Sequence, residues 1–308
     1  MKELFSQIDG LYQQADLPAV EEKLTGALKK LEKQGKERSP EYAQVANELA
    51  GFYRGVSRYP ESLHFFQTAM ELLAEHGLLE SEAYASAEMN CAGTYRLMGQ
   101  LDQAEEGFLS AKGRMERLNL RDGYVYHSIL NNLSLVYQMQ GRLEQAEQLA
   151  EQSLVWNRKQ ERGAHEVATA LNNLAVIRQK RGDWNGAQQL LAEALALYDQ
   201  MAEPNVHHAA ALETHAVLCL KQGDWDGAME GFQRAREKTE LFFGRNIEYA
   251  IACENIAVLY ARKARWDEAM AEQEKAIAIK ERVAGPDSEA AAEARRLLQK
   301  MRDRKEGR

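Results

Sequence analysis

A small residue, most often glycine, closes a long helical stretch every 41 or 42 residues, at Ser57, Gly99, Gly141, Gly182, Gly223 and Ala264. A fixed period of this length is the mark of a solenoid, in which each unit buries its apolar face only against its neighbours. The residues around each anchor repeat in phase. Seven positions before it stand Ala50, Ala92, Ser134, Ala175, Ala216 and Ala257, and four before it stand Tyr53, Tyr95, Tyr137, Arg178, Cys219 and Tyr260. Small residues at such a position let two helices approach closely.

Beyond the anchor a bulky residue follows two positions on, at Tyr59, Leu101, Leu143, Trp184, Trp225 and Trp266. Small residues come five and twelve positions on, as in Ala187 and Ala194, and mostly large ones nine on, as in Phe66, Phe108, Leu191 and Phe232. Offsets of five, nine and twelve lie on one face of a helix, so each unit is a helical hairpin. Second helices are expected to open at Asp102, Glu144, Asn185, Asp226 and Asp267, where the helix N-terminus favours acceptors and negative charge. Pro60 takes that place in the first clear unit.

Six clear units occupy residues 41–284. Stepping back one period lands on Ala15, with Val20, Leu24 and Ala27 in the expected places, so residues 1–40 form a degenerate seventh pair. After the breaker Gly285-Pro286, residues 285–308 form a capping helix with Leu297 on its apolar side and a basic tail of Lys300, Arg302, Arg304 and Lys305. That basic end complements the helix dipole or offers a contact patch.

Composition agrees with an all-α chain of 308 residues, since proline is rare, at 5, and straight-chain helix formers dominate. A formal charge of -8 argues against nucleic acid, which needs a basic footprint. No apolar run is long enough to span a membrane and MKELFSQID is no signal peptide, so a cytoplasmic location is expected. Cys91, Cys219 and Cys253 are widely spaced and fit core positions better than a disulfide framework or zinc site.

The pattern, with phrases such as HEVATALNNLAVIRQKRGDWNGAQQLLAEAL at 165–195, resembles the tetratricopeptide repeat (TPR) family, and within it the long-period type of kinesin light chain and its bacterial relatives. The resemblance implies a right-handed superhelical solenoid of about seven hairpins plus the cap. It also implies a protein-binding adapter rather than an enzyme, with no cofactor. Catalytic patterns are indeed fragmentary: His165-Glu166 begins a zinc-protease-like string, but Thr169 stands where its second histidine belongs. His215 replaces the usual leucine eight before its anchor and reads as a histidine at the edge of the core.

The asparagines keep phase with the repeat. Nine before each anchor come Glu48, Asn90, Asn132, Asn173, Thr214 and Asn255, and ten before come Asn47, Met89, Asn131, Asn172, Glu213 and Glu254. The buried stripe of each first helix runs at eleven, eight, seven and four before the anchor, so these positions lie beside it. The resemblance places this face in a concave groove and implies that the asparagine nine before the anchor bonds the backbone of an extended ligand. An amide, both donor and acceptor, suits that role whatever the ligand's side chains. Asn90, Asn132, Asn173 and Asn255 are the expected ladder, with Asn131 and Asn172 beside it; the same amides could instead bridge adjacent helices.

Two or three residues before the anchors stand Arg54, Arg96, Gln138, Gln179, Lys180, Lys221 and Arg262, seven donors without a carboxylate. An acidic peptide or partner tail is therefore the expected ligand. The alternative is a regulatory or structural subunit that binds a folded partner, or forms a homo-oligomer, through its convex face and ends.

Overall fold

Gly182 ends the helix Ala164–Arg181 with φ at 84°, in the left-handed region that reverses a helix with no steric cost to glycine. The other anchors do the same, including Ser57 at 61° and Ala264 at 56°, which carry a side chain there. In the computed structural model, which describes residues 1–14, 16–160, 163–201 and 206–307, the described residues hold helices and turns and no strand. Ala15, the expected anchor of the degenerate pair, lies outside the described residues.

The chain divides into two compact units, Met1–Met201 and Ala202–Arg308. The first contains α1 (Lys2–Gln13), α2 (Leu17–Lys33), α3 (Pro40–Gly55), α4 (Tyr59–Glu75), α5 (Glu82–Leu97), α6 (Leu101–Arg117), α7 (Tyr124–Met139), α8 (Leu143–Lys159), α9 (Ala164–Arg181) and α10 (Trp184–Asp199). The second contains α11 (Val206–Gln222), α12 (Trp225–Phe243), α13 (Ile247–Arg262), α14 (Trp266–Ala284) and α15 (Glu289–Lys305). Within each unit the helices pair as hairpins that stack on the next, a helical repeat solenoid of the expected kind.

Side chains cap the helices where the anchors demand. Ser39, Ser81 and Asn246 accept from the backbone N–H groups of Tyr42, Tyr84 and Tyr249 at the starts of first helices. Second helices begin one residue earlier than the sequence suggests, at the bulky residue. Asp183 and Asp224 cap α10 and α12 by accepting from Gly186 and Gly227 at 2.9 Å. The acidic residues Asp102, Glu144, Asp226 and Asp267 sit inside the first turn, where the dipole still favours them.

Small-on-small packing sets the hairpin spacing. A Cβ on Gly107 of α6 would lie 2.9 Å from Ala92 Cβ of α5, and one on Gly231 of α12 equally close to Ala216 of α11. Phe66, Phe108, Leu191 and Phe232 are fully buried behind these contacts. The N-terminal pair joins the stack through Ile8, Val20, Leu24 and Leu28, packed on Val45, Leu49, Phe52 and Tyr53. Ala27, expected in that row, is only half-buried, and Leu28 takes its place. At the other end α15 buries Ala291, Ala294, Leu298 and Met301, and its basic tail is partly engaged: Arg302 pairs with Glu274 at 3.4 Å and Lys305 with Asp267.

Charged residues tie hairpin to hairpin. Arg58 reaches back to Glu21 at 2.6 Å while lying 4.2 Å over the ring of Tyr53, and Arg142 reaches back to Glu105 at 2.7 Å while lying 3.8 Å over Tyr137. In the next repeat the arrangement changes. Arg178 stands in the tyrosine position, bonds Glu147 at 2.8 Å and holds the cap Asp183 at 3.2 Å.

Candidate functional site

The phased asparagines of the first unit are built into the stack before any ligand arrives. Asn173 Nδ2 on α9 donates to Asn131 Oδ1 on α7 at 3.1 Å. Asn132 Nδ2 donates to the Ser128 carbonyl of its own helix at 2.9 Å. Arg54 of α3 donates through Nη1 to the Asn90 carbonyl of α5 at 3.1 Å and to Asn90 Oδ1 at 3.4 Å. Desolvation, the largest influence on Arg54, pulls its guanidinium below the ordinary value.

The two bonds that join neighbouring first helices, Asn173 to Asn131 and Arg54 to Asn90, have a physical origin in the repeat. Neighbouring first helices pack side by side, so residues about one period apart face each other across their seam, and an amide edge is long enough to span it. Asn172 is 6% exposed and its Oδ1 is shielded from solvent, with no hydrogen-bond partner among the described residues; Asn47 Oδ1 is in the same situation.

The row of donors divides by burial. Gln138 and Gln179, expected on the open face, are 6% and 8% exposed and belong to the packing between helices. Their position three before the anchor turns inward on a helix whose partner lies close on that side. Arg96 is half-buried, Arg54 is engaged with Asn90, and Lys180 is exposed. In the second unit Lys221 and Arg262 are exposed, and Arg262 lies 4.8 Å over the ring of Trp225. Asn255 is half-buried on α13.

The asparagine rows also hold glutamates, and the switch from Asn172 to Glu213 and Glu254 signals a change in chemistry. Glu254 on α13 accepts Lys280 Nζ of α14 at 2.7 and 2.8 Å and Gln273 Nε2 at 3.4 Å. Glu213 on α11 has a carboxyl oxygen shielded from solvent with no hydrogen-bond partner among the described residues. Burial, and then the nearby Glu248 carboxylate, push its carboxyl up to about 8. Apolar side chains are exposed beside them, Val217 on α11 and Ile251 and Val258 on α13.

Thr169 Oγ1 donates to the His165 carbonyl and contacts Tyr198 Oη, both at 2.9 Å. His215 lies 3.7 Å from Cys219 Sγ. All three cysteines are buried, and burial pushes the Cys91 and Cys253 thiols up to about 11, so they are held protonated at neutral pH. Among the described residues no group of three or more His, Cys, Asp or Glu is placed to hold a metal ion, and no helix is long and apolar enough to cross a membrane.

Comparison with known proteins follows the same lines. No curated protein matches the chain. Among solved structures, the BtubC (BKLC) protein of P. vanneervenii aligns at 20% identity and a TM-score of 0.51 over 75% of this chain and 92% of its own. A tetratricopeptide repeat protein from Parabacteroides merdae aligns at 17% identity and a TM-score of 0.55 over 97% of this chain and 98% of its own. A Rap protein complexed with competence and sporulation factor aligns at 13% identity and a TM-score of 0.59 over 100% and 99%. At these identities the likenesses show the fold, a helical repeat solenoid. The family model described as tetratricopeptide repeat matches residues 84–155, 125–200, 166–240 and 207–282 in overlapping registers, and the chain belongs to the tetratricopeptide repeat family.

Proposed function

We propose that the chain is a non-catalytic adapter that captures an extended segment of a partner protein, or a free peptide, on its first-helix faces. A protein-interaction role in general follows from the family; the peptide ligand and its position are the proposal. The observation that carries it is that two amides of the asparagine rows are already ordered, Asn173 by Asn131 across the seam and Asn132 by the Ser128 carbonyl of its own helix. Because Asn131 already holds the Asn173 amide, less rotamer freedom is lost when a peptide backbone pairs with it. The Rap protein with which the chain aligns end to end was solved with a bound factor, which is consistent with this reading.

Acidic character in the ligand is supported by the exposed cations Lys180 in the first unit and Lys221 and Arg262 in the second. Selection from a random-peptide display library tests the proposal. Wild-type protein should enrich a sequence family whose affinity falls about tenfold in Asn132→Ala and weakens as salt is raised. Enrichment of no family, or affinities unchanged in both Asn132→Ala and Asn173→Ala, would overturn it.

A further inference from the structure

The two glutamates that stand ten before their anchors occupy matching places in successive hairpins of the second unit, yet among the described residues Glu254 has a cation against it and Glu213 does not. The partner of Glu254, Lys280, lies 26 residues on, with the ammonium against both carboxylate oxygens at 2.7 and 2.8 Å. The residue 26 beyond Glu213 is Thr239, a side chain too short to reach and without charge. Its hydroxyl is turned onto the Ala235 carbonyl of its own helix at 3.0 Å. Glu213 therefore keeps a carboxyl oxygen that is shielded from solvent and has no hydrogen-bond partner among the described residues.

An acid in this setting is costly, because a buried acceptor left unmade loses its hydration with nothing in return. Packing alone does not call for it. The same position in the first unit holds Asn47, Met89, Asn131 and Asn172, so neutral side chains fill it well. On α13 the nearest acidic influence is Glu248, which adds negative potential and so favours an incoming cation over an anion or a neutral group.

We infer that Glu213 is the acceptor for a cationic group of the bound ligand, a lysine ammonium, arginine guanidinium or terminal amine that takes the place Lys280 holds against Glu254. The inference rests on the peptide-binding reading of the α11 and α13 faces and sharpens it. Lys221 lies two turns from Glu213 on α11 and is exposed, so the ligand segment over this unit carries both signs of charge rather than acid alone. Charge placed this way sets register and direction along the groove as well as affinity.

Two experiments test it. Peptides enriched by wild-type protein are resynthesised with acetylated and free N-termini, and each lysine or arginine is replaced by norleucine. One such replacement should cost about tenfold against wild type and less than about twofold against Glu213→Gln, while glutamate at that position should restore binding to Glu213→Lys. Loss on acetylation that Glu213→Gln abolishes would name the terminal amine as the cation. Enriched peptides without a cation, or basic residues that contribute equally to wild type and Glu213→Gln, would overturn the inference while leaving peptide capture standing.

The second experiment needs no ligand. Thr239→Lys supplies the missing cation from within and should raise the melting temperature; in Glu213→Gln it should not. A Thr239→Lys protein that melts lower than wild type in both backgrounds would show that the place does not accept a cation, and would overturn the inference even if no peptide were ever found.

Discussion

Asn173 on α9 donates its side-chain N–H to Asn131 Oδ1 on α7 across 3.1 Å, so two residues 42 apart in the chain share one amide bond. Position in the repeat, not distance along the sequence, makes them neighbours. The bond makes a structural role and a ligand-binding role compatible in one residue, and it separates the consequences of removing each partner.

Alanine at either position should cost about 1 kcal/mol of stability, with the double variant costing clearly less than the sum, because the second substitution removes a group whose partner has gone. Urea unfolding of the four proteins measures the coupling. Strict additivity would mean that the bond contributes nothing to the folded state.

Ala264 turns the corner after α13 with φ at 56°, where a side chain clashes with its own backbone. Ala264→Gly should therefore stabilise by up to about 1 kcal/mol, while Gly182→Ala, at 84°, should lose a similar amount. Thermal unfolding of the pair checks both signs; a destabilising Ala264→Gly would contradict the strain.

Glycine inside a helix has a different meaning at each site. A Cβ at Gly107 would stand 2.9 Å from Ala92 Cβ, so Gly107→Ala should cost about 1–3 kcal/mol by forcing α5 and α6 apart. At Gly26 of α2 nothing lies within 4 Å, and alanine there should add roughly 1 kcal/mol through helix propensity. Denaturant midpoints of the two variants should move in opposite directions.

Burial first, and Glu248 second, hold the Glu213 carboxyl protonated up to about pH 8. Between the ordinary carboxylate range and that value the folded chain keeps a proton that the unfolded chain has lost. Stability from this group is complete at low pH and declines as pH rises through the window, levelling off above it. Glu213→Gln should flatten that decline, stabilising by about 1–3 kcal/mol at pH 8 and little at pH 5. Urea titrations at the two pH values decide; an equal effect at both would place the carboxyl in a solvated site.

Much of the architecture was legible in the sequence because hairpin geometry is local. The period, the paired helices, the small residues at Ala92 and Ala216 and the turn at Gly182 each depend on neighbours within a few helical turns, where side-chain size and backbone freedom dictate the outcome. The asparagine rows were legible for the same reason: phase alone puts Asn132 and Asn173 on one face.

Phase along a helix thus tells which residues share a face, and packing between helices sets which of them meet. Gln138 and Gln179 carry the same phase as Arg54 and Arg96 but are packed between helices, and Arg54 is turned onto Asn90. Likewise Glu254 and Glu213 have the same address in the repeat, but Lys280 pairs with Glu254, while the matching residue for Glu213 is Thr239, which has neither the length nor the charge for such a pair. The physical reason is reach: a repeat brings helices within 8 to 10 Å of each other, and at that range the partner of a polar group depends on side-chain length and rotamer across the seam, which no pattern along one helix can specify.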